Sequence, residues 1–198
     1  FQAADSKGWV AQSGEQNSAI QRMEGNDNEA KIQQTSDGND AFQQIVGLAS
    51  SGNYSSIVQS GNDNNARIVT EGSDNKFEAT QVKDRNSVVG LDGSATSNAT
   101  QTGDGNDILL NQIGYDNAFR IRQVGDNNSV GGAGVLGALQ LGDNNTAIFS
   151  QEGFDLKIIS DQYGNNNFHE VNQTGNGSES ITRQSGSSNR ANVTQANQ

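Results

Sequence analysis

The chain has 198 residues, enough for one domain or one long repeat array, with 31% hydrophobic residues, 24 glycines, no proline and no cysteine. Its formal charge of −11 argues against nucleic acid or an anionic membrane surface as the main ligand. No run of 18 apolar residues exists to cross a bilayer as a helix, and without cysteine there is neither a disulfide framework nor a thiolate metal site.

A mean hydropathy of −0.74 is poor for a conventional globular core. The missing proline points away from disorder, because a chain that pairs every backbone N–H has no room for it in mid-strand. The first residue is Phe1 rather than Met, which reads as a processed N-terminus.

Taken along the chain, residues 1–5 form a short N-terminal segment, and residues 6–198 read as one repeat array of eleven-residue units. The pattern is plain in Asn28-Glu-Ala30-Lys-Ile32-Gln-Gln34, again in Asn117-Ala-Phe119-Arg-Ile121-Arg-Gln123, and at the far end in Asn189-Arg-Ala191-Asn-Val193-Thr-Gln195. Units start at Ser6, Asn17, Asn28, Asn39, Asn53, Asn64, Asn75, Ala95, Asn106, Asn117, Gly134, Asn145, Leu156, Asn167, Ser178 and Asn189. Leu48–Gly52, Asn86–Ser94 and Asn128–Ala133 fall in or around short insertions.

The seventh position is glutamine almost throughout: Gln12, Gln34, Gln59, Gln81, Gln101, Gln112, Gln123, Gln140, Gln151, Gln162, Gln173, Gln184 and Gln195, with Met23, Ile45 and Thr70 as exceptions. The ninth is usually glycine, as at Gly14, Gly61, Gly114, Gly125, Gly153, Gly164 and Gly186. Odd positions one to seven carry no charge, whereas even positions carry Lys31, Arg67, Glu78, Arg120, Arg122 and others. That is strand periodicity, with the odd face buried and the even face wet. Glycine, asparagine and aspartate then turn the chain, since they reach positive φ with little strain.

Each unit is therefore predicted to be a strand of roughly seven residues and a turn of roughly four. Two units make a rung of about 22 residues, and about eight rungs make an all-β solenoid of two parallel sheets face to face. One rung alone buries too little apolar surface to offset the entropy of ordering its backbone. Stacking supplies the missing bonds. The position-seven glutamines and the position-one asparagines Asn17, Asn28, Asn39, Asn53, Asn64, Asn75, Asn106, Asn117, Asn145, Asn167 and Asn189 each carry both a donor and an acceptor, so in register they bond to one another along the axis. The array keeps its pattern to both ends, and an uncovered edge with the interior's ladder is a template for another copy, giving end-to-end stacking into a cross-β fibre.

The S/N-x-A-x-I-x-Q-x-G-x-x-N pattern resembles the curlin repeat; Ser6-x5-Gln12-x-Gly14 followed by Asn17-x-Ala19 has that spacing. The resemblance, closest to a major subunit, covers nearly the whole chain. It implies a curli subunit, secreted to the cell surface as a structural, extracellular functional-amyloid fibre of the bacterial biofilm matrix. It further implies a homopolymer, with a nucleator subunit and an outer-membrane secretion pore as partners, and no membrane insertion. Carried over, the glutamines and asparagines above are its stacking residues.

Other chemistries are weakly signalled. His169, the single histidine, occupies an inward slot and reads as a packed residue. No two carboxylates converge by spacing as acid and base, so the chain is not read as an enzyme, and no cofactor or metal is expected. The oxygen-rich turns Gly61–Asn65, Gly103–Asp107 and Gly142–Asn145 leave a calcium-binding β-roll as an alternative, but no strict nonapeptide accompanies them. A monomeric β-solenoid adhesin is the other alternative. Trp9 points outward near the first edge, to cover it, to touch a neighbour or simply to stand exposed.

Overall fold

The computed structural model describes residues 5–47, 51–131 and 137–197. Its strands, in order, are β1 (Lys7–Ser13), β2 (Ser18–Met23), β3 (Glu29–Thr35), β4 (Asp40–Val46), β5 (Tyr54–Ser60), β6 (Asn65–Glu71), β7 (Lys76–Val82), β8 (Ser87–Val89), β9 (Ala99–Thr102), β10 (Asp107–Ile113), β11 (Ala118–Val124), β12 (Ser129–Gly131), β13 (Ala138–Leu141), β14 (Thr146–Phe154), β15 (Lys157–Tyr163), β16 (Phe168–Asn176), β17 (Glu179–Ser185) and β18 (Arg190–Ala196). Successive units alternate between two sheets, and every pairing is parallel and in register with the unit two along: Gln12 on Gln34, Gln34 on Gln59, Gln59 on Gln81. The first sheet runs from β1 to β17 and the second from β2 to β18. The protein is thus an all-β solenoid of about eight turns with two facing parallel sheets.

The period-two pattern explains the layers. Odd positions interdigitate between the sheets as a core in which Ile32, Ile57, Ile68, Phe77, Ile108, Phe119, Ile121 and Phe149 are buried. Bulky and small residues alternate: Phe119 and Phe149 lie 5.9 Å apart between ring centroids, and Ala147 and Ala99 share the same core. The turns repeat one backbone solution. Gly61 sits at φ +123°, where an added Cβ would strike the carbonyl of Lys83 in the next turn, and Asp63 two residues later sits at φ +56°.

Two unit boundaries differ from the sequence expectation. The unit expected from Ala95 begins at Asn86 instead. Its strand is split into β8 and β9, both pairing with β6 on one side and β11 on the other. Residues 90–98 leave the strand in its middle and return to the same row, and Ala95 lies exposed on that excursion. Likewise the unit expected from Gly134 begins at Asn128, with its strand split into β12 and β13 between β10 and β15. Gly134 itself, residues 1–4, and residues 48–50 of the first insertion lie outside the described residues.

Candidate functional site: the amide rows and the outer strands

In the first sheet a glutamine stands at position seven of every level. Each Nε2 donates to the next Oε1: Gln12 to Gln34 at 2.6 Å, Gln34 to Gln59 at 2.9 Å, Gln59 to Gln81 at 2.9 Å, Gln81 to Gln112 at 3.0 Å, Gln112 to Gln140 at 3.0 Å, Gln140 to Gln162 at 2.9 Å and Gln162 to Gln184 at 2.9 Å. The second N–H crosses to the opposite sheet: Gln59 to the Asp40 carbonyl and Gln112 to that of Ser87, both at 3.1 Å. The row therefore runs along the axis and also ties the sheets together. From Gln34 to Gln162 it satisfies amides that are fully buried, where an unmade bond is costly.

Asparagines at position one form a second kind of row, polarised the other way. Here the later level donates: the backbone N–H and the Nδ2 of Asn64 both reach Asn39 Oδ1 at 3.1 Å. In the second sheet this row is complete, through Asn17, Asn39, Asn64, Asn86, Asn117, Asn145, Asn167 and Asn189. In the first sheet it runs through Asn28, Asn53, Asn75, Asn106 and Asn128 and then meets Leu156, whose N–H still reaches Asn128 Oδ1 at 3.0 Å. Asn86 and Asn128 are ladder members that sequence reasoning assigned to insertions; their buried in-row amides are the signal that spacing alone could not reveal.

The glutamine row of the second sheet is interrupted. Gln101, Gln123, Gln151, Gln173 and Gln195 follow one another, with bonds of 2.7–3.3 Å. Before them, β2 and β4 have the two inner positions exchanged: Gln21 and Gln43 stand at position five, Met23 and Ile45 at position seven. Gln21 donates to Gln43 at 3.2 Å, but Gln43 then meets Ile68, and Ile45 meets Thr70. Gln43 Nε2, Thr70 Oγ1 and Gln101 Oε1 are buried with no hydrogen-bond partner among the described residues. Gly8 opposite β2 leaves the space that Gln21 Oε1 and the Met23 methyl occupy.

The oxygen-rich turns are occupied by their own chain. Asp84 Oδ1 accepts the Asn62 N–H at 2.8 Å, Asp104 that of Ser73 at 2.7 Å, Asp126 that of Asp104 at 2.8 Å and Asp143 that of Tyr115 at 3.0 Å. The carboxylates bind the turn one level earlier, and no group of three or more metal-ligating side chains occurs among the described residues. His169 is buried in an inward slot, 2.7 Å from Ser160 Oγ through Nδ1 and edge-on to Phe149; burial pulls its pKa down to about 4. Trp9 is outward and half exposed.

At the ends the rows meet open edges. β1 and β2 at one end, and β17 and β18 at the other, pair on one side only among the described residues. Val10 fills an inward slot of β1 yet is 44% exposed, while its row neighbour Ile32 is fully buried.

These features define a parallel two-sheet solenoid whose polar interior is a set of amide ladders. Residues 51–82, which span β5 to β7, match the family model of the curlin associated repeat. No curated protein and no solved structure matches the chain.

Proposed function

We propose that the protein is a structural subunit of an extracellular, curli-like amyloid fibre of a biofilm matrix, growing by end-to-end stacking of solenoids. The observation that carries the reading is the continuity of the first sheet's glutamine row from β1 to β17, two strands whose outer edges are open among the described residues. An edge strand that presents its neighbours' ladder offers a second copy the same bonds that join adjacent turns. Eight turns at ~4.8 Å would add roughly 40 Å of fibre per copy. Secretion to the cell surface, with a nucleating subunit and an outer-membrane pore, belongs to the same reading through the curlin repeat. In this role the position-seven glutamines and position-one asparagines are the stacking residues, residues 6–198 form the assembling array, and the position-nine glycines keep the turns close enough to stack.

Purified chain should polymerise after a lag that preformed seeds remove, giving fibres with an axial reflection at ~4.8 Å. A chain that stays monomeric at high concentration with seeds present would sink the fibre reading.

A further inference from the structure

The two kinds of row point in opposite directions, so the ends are chemically different. Glutamine Nε2 groups face the β17/β18 end, and asparagine Oδ1 groups face the same way. At the β1/β2 end the glutamine carbonyls and the Asn17 N–H groups lead instead. Two like ends would set acceptor against acceptor in one row and donor against donor in the other. Unlike ends match, and the joint is heterologous, which leaves a free end at every step.

The match is uneven, because of the exchange in β2. Continuing the register of each sheet places β1 of the incoming copy on β17 and its β2 on β18. In the first sheet Gln12 then follows Gln184, as each glutamine follows the last inside the chain. In the second sheet Asn17 follows Asn189, but Met23 follows Gln195 and Gln21 follows Val193. The interior contains the reverse step, between β4 and β6, where Gln43 meets Ile68 and its Nε2 goes without a partner; one level on, between β6 and β9, Gln101 meets Thr70 and its Oε1 goes without one.

Resting on the fibre reading above, we propose that copies join head to tail through two of the four amide rows. The Gln184 Nε2 of one copy donates to Gln12 Oε1 of the next, and the Asn17 amide of the next donates to Asn189 Oδ1. Gln195 makes no amide bond across the joint. The joint thus repeats the two rows that are unbroken inside the chain and drops the two that are broken there.

Gln184 and Gln195 offer a controlled comparison, since their internal bonds are alike. Each accepts from the preceding glutamine, at 2.9 and 2.7 Å, and each donates to a carbonyl of the other sheet at 3.0 Å. They differ in what the next copy presents. The experiment reads the monomer concentration left in solution when fibre growth stops, for the full chain carrying Gln184→Met or Gln195→Met. The Gln184→Met chain should leave about tenfold more monomer than the unaltered chain, the worth of one amide bond in a joint. The Gln195→Met chain should leave less than about threefold more. Equal rises, or a larger rise for Gln195→Met, overturn the proposal. Met23→Gln, which returns an acceptor to the face opposite Gln195, keeps the test decisive if Gln184→Met fails to fold by circular dichroism: residual monomer should drop at least about threefold, and no drop overturns the proposal. Failure of the unaltered chain to form any fibre would instead overturn the reading on which this one rests.

Discussion

The two sheets have the same number of levels and the same repeat, but they keep different rows whole. The first holds an unbroken glutamine row from Gln12 to Gln184, while its asparagine row loses its amide at Leu156. The second holds an unbroken asparagine row from Asn17 to Asn189, while its glutamine row breaks between Gln43 and Gln101. At every level one amide row is continuous across the step, so a fault in one sheet is spanned by the other. A repeat array tolerates local faults because each level depends on its immediate neighbours.

Breaking the sound row should cost most. Gln112→Leu strands Gln81 Nε2 and Gln140 Oε1 in the core, and urea unfolding of the monomeric chain should show a loss of about 2–5 kcal/mol. The same change at Gln101, whose Oε1 has no partner already, should cost clearly less. Equal losses would mean that the sheets do not differ as described.

A pH titration separates the sheets next. His169 belongs to the second sheet, with a pKa near 4 when folded against about 6.5 in an unfolded chain. Its neutral form suits the core, so stability from this residue is complete above about pH 6.5. Between about 6.5 and 4 the unfolded chain binds a proton that the folded chain does not. Stability therefore falls by up to about 3 kcal/mol, and the loss is complete below pH 4. The His169→Ala chain should lack this component of the pH slope, whatever its absolute stability; an unchanged slope would remove the assignment.

Healing the faulted row should give a smaller gain. Thr70→Gln supplies a donor for Gln101 Oε1 in a slot that glutamine fills at other levels, and should stabilise the chain by about 1 kcal/mol. The smallest effect belongs to the turns. Arg85 and Asp116 pair between adjacent levels at 2.7 and 2.8 Å but lie in solvent. Arg85→Ala should lower the melting temperature only slightly at low salt and not at all near 1 M salt.

Most of this architecture is legible in the sequence, because the burial pattern, the turn and the amide row all share one eleven-residue period. The charge-free odd positions mark the core, and glutamine at position seven marks the row. Two features are not legible. A fixed-period scan assigns a unit start to Ala95, since Ala95-x-Ser97-x-Ala99-x-Gln101 has the right look. Asn86 holds that place in space, because the backbone bonds of Val88 and Ala99 to the same neighbouring strands outweigh their distance along the chain. The exchange of Gln21 with Met23, and of Gln43 with Ile45, reads as two missing glutamines. Only stacking reveals that the amides have moved one slot over, and that Gln43 rather than Ile45 is stranded.

The excursion at residues 90–98 has a practical meaning. The chain departs after Val89, travels through an exposed stretch with Asp92, Ser94 and Ala95, and re-enters at Ala99 without shifting the rows on either side. Contour length and axial rise are thereby uncoupled at that level. In the proposed fibre, a foreign peptide spliced in between Ser94 and Ala95 would hang from the flank once per copy, turning a plain filament into a ruler that displays cargo at even intervals.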